Sequence, residues 1–170
     1  MAVRQIVLYP DPILKQVCAE IAPGIELAQA IARDLEETLD SGPGVGLAAP
    51  QIGYAYRVIL VDAARNPKRH GQGRFVLFNP EIRARHGEQV VREGCLSIPD
   101  YTANIRRAEE VVVCGIGRDG EPVEVRARDY EAVVFQHEID HLDGILFLDR
   151  VRDVKKELFR RKPRAEPGGR

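Results

Sequence analysis

Apolar residues recur every four positions near the start of the chain, between Leu27 and Leu39, with charged residues filling the places between them. This period puts the apolar side chains in one stripe along a helix and the charged ones on the opposite face. Ser41-Gly42-Pro43 follows and is typical of a helix end. The pattern therefore predicts an amphipathic helix. Its stripe consists of Leu27, Ile31, Leu35 and Leu39.

Two shorter helices are predicted near the ends of the chain. Asp11 can cap a helix whose first residue is Pro12, and its apolar positions run as far as Val17. The segment Val151–Arg161 has the composition of a basic terminal helix. Beyond it, residues 164–170 contain Pro167-Gly168-Gly169 and are predicted to fray.

A second long helix is predicted over Asp129–Asp143, with Gly144 as the residue just past its end. Its first half contains Ala132-Val133-Val134-Phe135, which is apolar on every side. A surface helix would show a polar face there. We therefore expect this helix to be buried.

The middle of the chain has the composition of β-structure. Three short runs predict strands: Val58–Val61, Phe75–Phe78 and Val111–Val113. Asp119-Gly120 separates the last run from Val123-Glu124-Val125 and predicts a hairpin, while residues 66–73 predict an exposed loop. Strands grouped between two long helices are typical of the α+β class with mainly antiparallel sheet.

Composition narrows the class of protein without changing this fold. The 170 residues suffice for one domain, and a net charge of −1 gives no indication of DNA or a charged membrane as partner. We find neither a run of about 18 apolar residues nor an apolar leader, so we expect no membrane span and a cytoplasmic location. Three cysteines, Cys18, Cys95 and Cys114, are too few and too odd in number for a disulfide framework.

The clearest chemical signal lies in the second long helix. His137-Glu138-Ile139-Asp140-His141 has the pattern H-E-x-x-H. Residues four apart on a helix share a face, so His137 and His141 can bind one metal ion. Glu138 is placed to accept a proton from a water on that metal. The segment predicts a catalytic metal site.

Spacing leaves the third ligand of this site open. Phe147 stands where the third histidine of a metzincin would be, which excludes that arrangement. Glu157 and Glu166 are downstream carboxylates without a supporting motif. Cys95, next to Gly94, offers a thiolate, which suits divalent metals, but a free cysteine beside leucine is more often a small buried hydrophobe.

A third segment, residues 44–51, has the sequence Gly-Val-Gly-Leu-Ala-Ala-Pro-Gln. It lacks the lysine of a phosphate-binding loop. Small residues would let backbone amides approach a ligand, and Gln51 carries both a donor and an acceptor. Taken alone, it is better explained as a tight apolar turn before the strand that begins near Arg57.

Together these three segments resemble the signature motifs of peptide deformylases, G-x-G-L-A-A-x-Q, E-G-C-L-S and Q-H-E-x-D-H. They stand here in the family order as residues 44–51, 93–97 and 136–141. The resemblance includes Tyr9–Leu14 and extends to about Arg152. It implies one catalytic domain over residues 1–152, followed by a basic C-terminal helix and tail over 153–170.

The resemblance implies antiparallel sheets surrounding the buried helix that carries H-E-x-x-H. It also implies one divalent metal ion bound by Cys95, His137 and His141, with Fe(II) the usual metal and zinc, nickel or cobalt able to replace it. The implied reaction is hydrolysis of the N-formyl group of N-formylmethionyl polypeptides, with metal-bound water as nucleophile and Glu138 as base and then acid. Gln51 and the Leu96 backbone N–H would stabilise the oxyanion.

Further roles implied by the family concern the substrate. The backbones at Val45, Gly46 and Gly94 would bind an extended peptide. Val133, Val134 and His137 would line the methionine pocket, and Val45 and Leu96 would crowd the carbonyl so that formyl is preferred to acetyl.

Other features of the family bear on single residues and on partners. Glu93 is expected to pair with Arg107, and Thr102 stands where some relatives carry arginine. Some family members dock on the ribosome through a C-terminal helix, which makes the basic stretch from Lys155 a candidate for that contact.

Two other functions fit parts of the pattern. A metallopeptidase cutting internal peptide bonds would share the metal-binding helix, but Phe147 and a cysteine ligand oppose it. A relative that binds metal or peptide without turnover would have no need for Glu138, because a structural site requires no base.

Overall fold

A computed structural model describes residues 3–162, and its first long element is helix α1, Glu26–Asp40. Ile31, Leu35 and Leu39 are buried as the four-residue period predicts. Leu27, in the first turn, is 40% exposed, so the buried stripe starts one turn later than expected. Before α1, Asp11 caps a 3-10 helix over Pro12–Lys15, which confirms the predicted start but ends before Val17.

Five strands form an antiparallel sheet in the order β1-β2-β3-β6-β7. Their bounds are Gly46–Ala48, Val58–Val61, Phe75–His86, Glu110–Ile116 and Pro122–Arg128, respectively. All of β2 is buried because helices cover both faces of the sheet. Ile59 and Val61 pack in the core that includes the second long helix, while Val58 and Leu60 pack against α1. The predicted hairpin at Asp119-Gly120 joins β6 to β7.

Helix α2, Asp129–Leu142, packs against β1, β2 and β7 of this sheet. Eleven of its residues are buried, including the apolar half that predicted burial. Gly144 has φ +69°, the left-handed conformation that ends a helix and that glycine adopts without strain. A side chain there would also meet the backbone of Lys15, so the position is closed to other residues.

A second antiparallel sheet has the order β4-β5-β8 and comprises Gln89–Cys95, Ile98–Arg107 and Leu158–Arg160. Its apolar face covers a separate core that contains Ile105, Leu146 and Phe147. The prediction of a terminal helix over Val151–Arg161 was wrong in its extent. Helix α3 spans only Val154–Glu157, and the chain then becomes β8 because it finds hydrogen-bonding partners at the edge of β5.

Several smaller expectations concern regions outside these elements. Between residues 3 and 162, no helix has the length and apolar character needed to cross a membrane. The predicted fraying of residues 164–170 lies outside the described residues, and the boundary between 1–152 and 153–170 stays a prediction. Cys18 is buried in the main core, whereas Cys114 is only half-buried on β6.

Candidate metal centre and cleft

Three side chains converge where α2 crosses the end of β4. One helical turn separates His137 from His141, so their rings lie 5.0 Å apart between centroids on one face. A register shift between Gly94 and Cys95 interrupts the β4 ladder, and Cys95 lies beside the two rings. Cys95 Sγ lies 3.4 Å from His141 Nε2, and one donor atom from each of the three residues lies within 4.8 Å of the others. Cys95 and His141 are buried, and the side chain of His137 is 11% exposed.

These donors fit a divalent metal ion. Two imidazoles and a thiolate are the donor set of a catalytic site that keeps one coordination position open. Burial lowers the pKa of His141 well below its usual value, so this ring is neutral, which is the form that binds a metal. Within residues 3–162, the buried atoms Glu138 Oε2 and His141 Nδ1 have no hydrogen-bond partner, as expected where a ligand or water completes a site.

A buried ionic network orients His137. Its Nδ1 donates to Glu93 at 2.8 Å, which turns Nε2 toward Cys95. Arg107 donates two hydrogen bonds, of 2.6 and 2.9 Å, to the carboxylate of Glu93, which confirms the expected pair. Arg107 also donates to Asp140 at 2.6 Å, and Arg150 completes the network at the same carboxylate. Strands β4 and β5, helix α2 and the Phe147–Arg150 turn are therefore joined at one point.

The buried network keeps the carboxyl group of Glu93 ionised. Burial of Glu93 disfavours its ionisation, but hydrogen bonds from Arg107 and His137 outweigh burial and lower its pKa to about 2. The carboxylate is consequently ionised under all physiological conditions. It accepts the hydrogen bond from His137 Nδ1 and so fixes the orientation of the ring.

Glu138 faces the same space from the next position of α2 and is only 4% exposed. A Cβ added to Gly46 on β1 would lie 2.5 Å from Glu138 Oε1, so only glycine lets the strand pass this close. Burial, assisted by the charges of Glu93 and Asp140, raises the pKa of Glu138 to about 7. This carboxyl can therefore both take and give a proton near neutral pH.

Gln51 and Leu96 border the metal centre from two different turns. The Ala48 N–H donates to Gln51 Oε1 at 2.9 Å, so the amide NH₂ faces the other way. That NH₂ lies 3.4 Å from Cys95 Sγ and 3.3 Å from Ser97 Oγ. Leu96 lies in the two-residue turn between Cys95 and Ile98, which pair across β4 and β5.

A cleft of about 540 Å³ opens onto these groups. Every residue assigned to peptide binding from the sequence lines it: Val45, Gly46, Gly94, Val133 and Val134. Gln51, Cys95, Leu96, His137 and Glu138 line it as well, whereas His141 lies behind. The structure thus brings the three sequence segments to one cavity.

Sequence reasoning missed several residues of this cavity. Tyr130, Arg65 and Arg161 line it, and nothing in their local sequence marks them. Phe147, the residue that excludes a metzincin, packs on His137 with ring centroids 6.4 Å apart. The other two histidines, His70 and His86, are exposed and do not belong to the cluster.

Comparison with known proteins agrees with this geometry. The family model described as polypeptide deformylase matches residues 3–157. A peptide deformylase of Syntrophobacter fumaroxidans is 45% identical over 162 residues, which is 95% of this chain and 94% of the relative.

Solved structures agree as well. A peptide deformylase from Legionella pneumophila superposes with a TM-score of 0.82 at 37% identity, covering 91% of this chain and 89% of that one. A class I type b peptide deformylase from Acinetobacter baumannii, solved with Met-Ala-Ser bound, gives 0.83 at 34% identity, covering 88% and 99%. With its three motifs gathered around one cleft, the chain belongs to the polypeptide deformylase family of metal-dependent hydrolases.

Proposed function

We propose that this protein removes the N-formyl group from N-formylmethionyl polypeptides, releasing formate and a free N-terminal methionine. The observation that carries the proposal is the convergence of Cys95, His137 and His141 beside the buried Glu138 at the bottom of a peptide-sized cleft. Membership of the family supplies the substrate class.

Cys95, His137 and His141 would hold one divalent metal ion, for which we propose Fe(II), with zinc, nickel or cobalt able to take its place. When bound, such an ion polarises a carbonyl oxygen and lowers the pKa of water. The protein prepares the ligands for this role: His141 is neutral, and Glu93 fixes the tautomer and orientation of His137.

Glu138 moves the proton in this proposal. It accepts a proton from the water that attacks the formyl carbon, and a carbon–oxygen bond forms. It then donates that proton to the amide nitrogen as the carbon–nitrogen bond breaks, so formic acid and a neutral amine leave, and the acid then loses its remaining proton to solvent to become formate. A pKa of about 7 suits both steps, because neither proton transfer is strongly uphill at neutral pH.

Gln51 and Leu96 would stabilise the charge that develops on the former formyl oxygen. The Gln51 NH₂ is turned toward Cys95 because Ala48 holds its oxygen. The Leu96 N–H would donate from the turn next to Cys95. Donors held in place before the reaction stabilise an oxyanion without reorganising, and each is typically worth about 10²–10³ in rate.

The peptide would lie extended in the cleft, with its backbone against Val45, Gly46 and Gly94. Val133 and Val134 on α2 would form the apolar wall for the methionine side chain. The relative solved with Met-Ala-Ser shows that a tripeptide beginning with methionine can be bound by this fold. These five residues all line the cleft in this chain.

Crowding by Val45 and Leu96 would favour formyl over acetyl groups, since a methyl on the carbonyl carbon would need additional room. The test compares formyl-Met-Ala-Ser with acetyl-Met-Ala-Ser as substrates. Similar turnover of the two peptides would refute the crowding, and a Val45→Ala variant should narrow the difference between them.

Formate release from formyl-Met-Ala-Ser by protein purified without oxygen tests the proposed reaction. Activity should disappear on chelation and return with Fe(II). Glu138→Gln should retain the metal and lose at least about 10²-fold in kcat, since general acid–base catalysis contributes about that much or more. Glu131→Gln is the matched control, because Glu131 is a buried glutamate on the same helix that contacts Gln72 instead. Absence of formate from metal-loaded protein would overturn the proposal.

We propose a cytoplasmic location, because the proposed substrate is a nascent polypeptide, and cell fractionation would check it. Docking through the basic C-terminal segment is a further proposal. Lys155, Lys156 and Lys162 are exposed, and their replacement by glutamate should weaken co-sedimentation with ribosomes if this surface docks. Unchanged co-sedimentation would exclude this contact. Deleting the segment is a poorer test, because it also removes β8.

A further inference from the structure

The last described residues bring an arginine into the wall of the cleft. Strand β8 pairs with β5, and the Arg161 N–H then donates to the Asp100 carbonyl at 2.8 Å, which holds the backbone of Arg161 against the sheet. Its guanidinium lies beside Gly94, where an added Cβ would overlap Nη2. The absence of a side chain at Gly94 therefore makes room for the charged group of Arg161.

Neighbouring side chains hold β8 in this position. Phe159 pairs with Thr102 across the sheet, and the guanidinium of Arg92 lies over the Phe159 ring at 3.7 Å from its centroid. Arg92 is further held by a hydrogen bond of 2.7 Å to Asn104. The position of Arg161 is thus fixed by the pairing of β8 with β5 and by the stacking of Arg92 on Phe159.

This wall of the cleft is cationic. Arg92 and Arg161 both line it, and within residues 3–162 the guanidinium of Arg161 has neither a salt bridge nor a hydrogen bond. Glu93, a carboxylate that also lines the cleft, already forms ion pairs with Arg107 and His137. A negatively charged group on a bound peptide would therefore meet a guanidinium whose donors are available.

We propose that Arg161 is a specificity-determining residue, which favours formyl-methionyl peptides carrying a carboxylate in the two residues after methionine. The inference rests on the proposed function and extends it from the first residue of the substrate to the next two. Peptide bound along Gly94 would pass within reach of the guanidinium. The family match ends at Glu157, so Arg161 lies beyond the part of the chain that matches the family model.

Steady-state kinetics with C-terminally amidated peptides test this proposal. We would compare formyl-Met-Ala-Ser, formyl-Met-Glu-Ser, formyl-Met-Ala-Glu and formyl-Met-Lys-Ser, all as amides. The unamidated formyl-Met-Ala-Ser distinguishes a terminal carboxylate from a side-chain one. Arg161→Ala should raise KM for at least one glutamate peptide about tenfold, the loss expected for one charge-assisted hydrogen bond, with kcat and the lysine peptide little changed. High salt should reduce the difference.

Two further variants separate specificity from structure. Arg160→Ala removes the neighbouring charge at the end of β8, outside the cleft, and should leave all KM values unchanged. Arg161→Glu should reverse the preference and improve the lysine peptide, which a merely unfolded strand would not do. An equal change of KM for every peptide, or none, would overturn the proposal. Failure of the unmodified protein to release formate from any peptide would instead overturn the proposed function.

Discussion

Two arginine-centred networks flank the cleft and differ in their exposure to water. One lies behind the candidate metal ligands and consists of Arg107, Arg150, Glu93 and Asp140. The other lies at the rim and consists of Arg65, Arg74, Asp40 and Asp62. The side chains of the Arg107–Glu93 pair are 2% and 4% exposed, whereas those of the Arg65–Asp40 pair are 26% and 49% exposed.

This difference determines what each network contributes. In the buried network, the charged groups are solvated by one another instead of by water. Removing one of them therefore leaves a buried charge without a partner, which is strongly destabilising. At the rim water can replace a lost partner, and an ion pair contributes little by itself. Arg65 matters there for another reason, because it donates to the backbone carbonyls of Leu39, Gly42 and Gly44 and so holds the loop that leads to Gly46.

Arg107→Met should have the largest effect. It leaves Glu93 without its bidentate partner in a buried site, which typically costs roughly 3–5 kcal/mol of unfolding free energy. Chemical denaturation with and without metal measures this loss. Arg107→Lys keeps the charge but cannot form the bidentate hydrogen bonds. Its unfolding free energy should therefore fall between those of the unmodified protein and Arg107→Met.

The double variant Glu93→Leu/Arg107→Met separates stability from ligand orientation. Replacing both partners removes the stranded charge, so much of the unfolding free energy should return. His137 would still lack the acceptor for its Nδ1, and metal affinity should remain about 10–100-fold weaker. Full recovery of metal affinity would mean that the network contributes stability and has no positioning role.

The buried network around Arg107 explains why strands β4 and β5 were not predicted from the sequence. Helix α1 and strand β2 were predictable because their buried residues are apolar and recur with the right period. In β4 and β5 the buried positions include Glu93 and Arg107, so the alternation that marks a strand is hidden by charges that are buried only because they pair. Such pairing is a property of the assembled sheets and helix.

The site shows a similar division. The helical spacing of His137 and His141 is local, and it predicted that both side chains could reach one ion, which their positions in the structure allow. Cys95 was one of several open choices by spacing, and only the resemblance to a family selected it. Arg161 had no local signal, since its place depends on β8 pairing with β5 and not on a helical period.

Arg65→Ala should have an intermediate effect that appears in substrate binding. Losing three carbonyl contacts at the rim should lower the unfolding free energy by about 1–2 kcal/mol, at roughly 0.5–1.5 kcal/mol per hydrogen bond with water replacing some of them. A looser loop must be ordered when peptide binds, so KM should rise several-fold while kcat changes less. Kinetics with formyl-Met-Ala-Ser measure both.

Arg74→Ala is the matched control for this variant. Arg74 shares Asp40 with Arg65 but donates only to the carboxylates of Asp40 and Asp62. Its removal should leave KM unchanged and lower the unfolding free energy by about 0.2–1 kcal/mol, as for other exposed pairs. If the two variants changed KM equally, charge at the rim rather than loop order would explain the effect.

The smallest effect is expected for Asp40→Asn, and it should depend on pH. The hydrogen bond from Arg74, together with the charges of Arg74 and Arg65, lowers the pKa of Asp40 below its ordinary value of 3.8 despite some desolvation. The folded protein therefore binds this proton less readily than the unfolded chain. The stabilisation is present above pH 3.8 and disappears as the pH falls through the lower folded-state pKa.

At pH 7 Asp40→Asn should lower Tm by about 1–3 °C, since an exposed pair contributes about 0.2–1 kcal/mol and the chain is of moderate size. The difference from the unmodified protein should narrow as the pH falls below 3.8 and shrink in high salt. Glu20→Gln, which changes an exposed glutamate elsewhere, should show no such pH dependence. A loss of several kcal/mol that persisted at low pH would mean that the rim network behaves like the buried one, and the contrast between the two would fail.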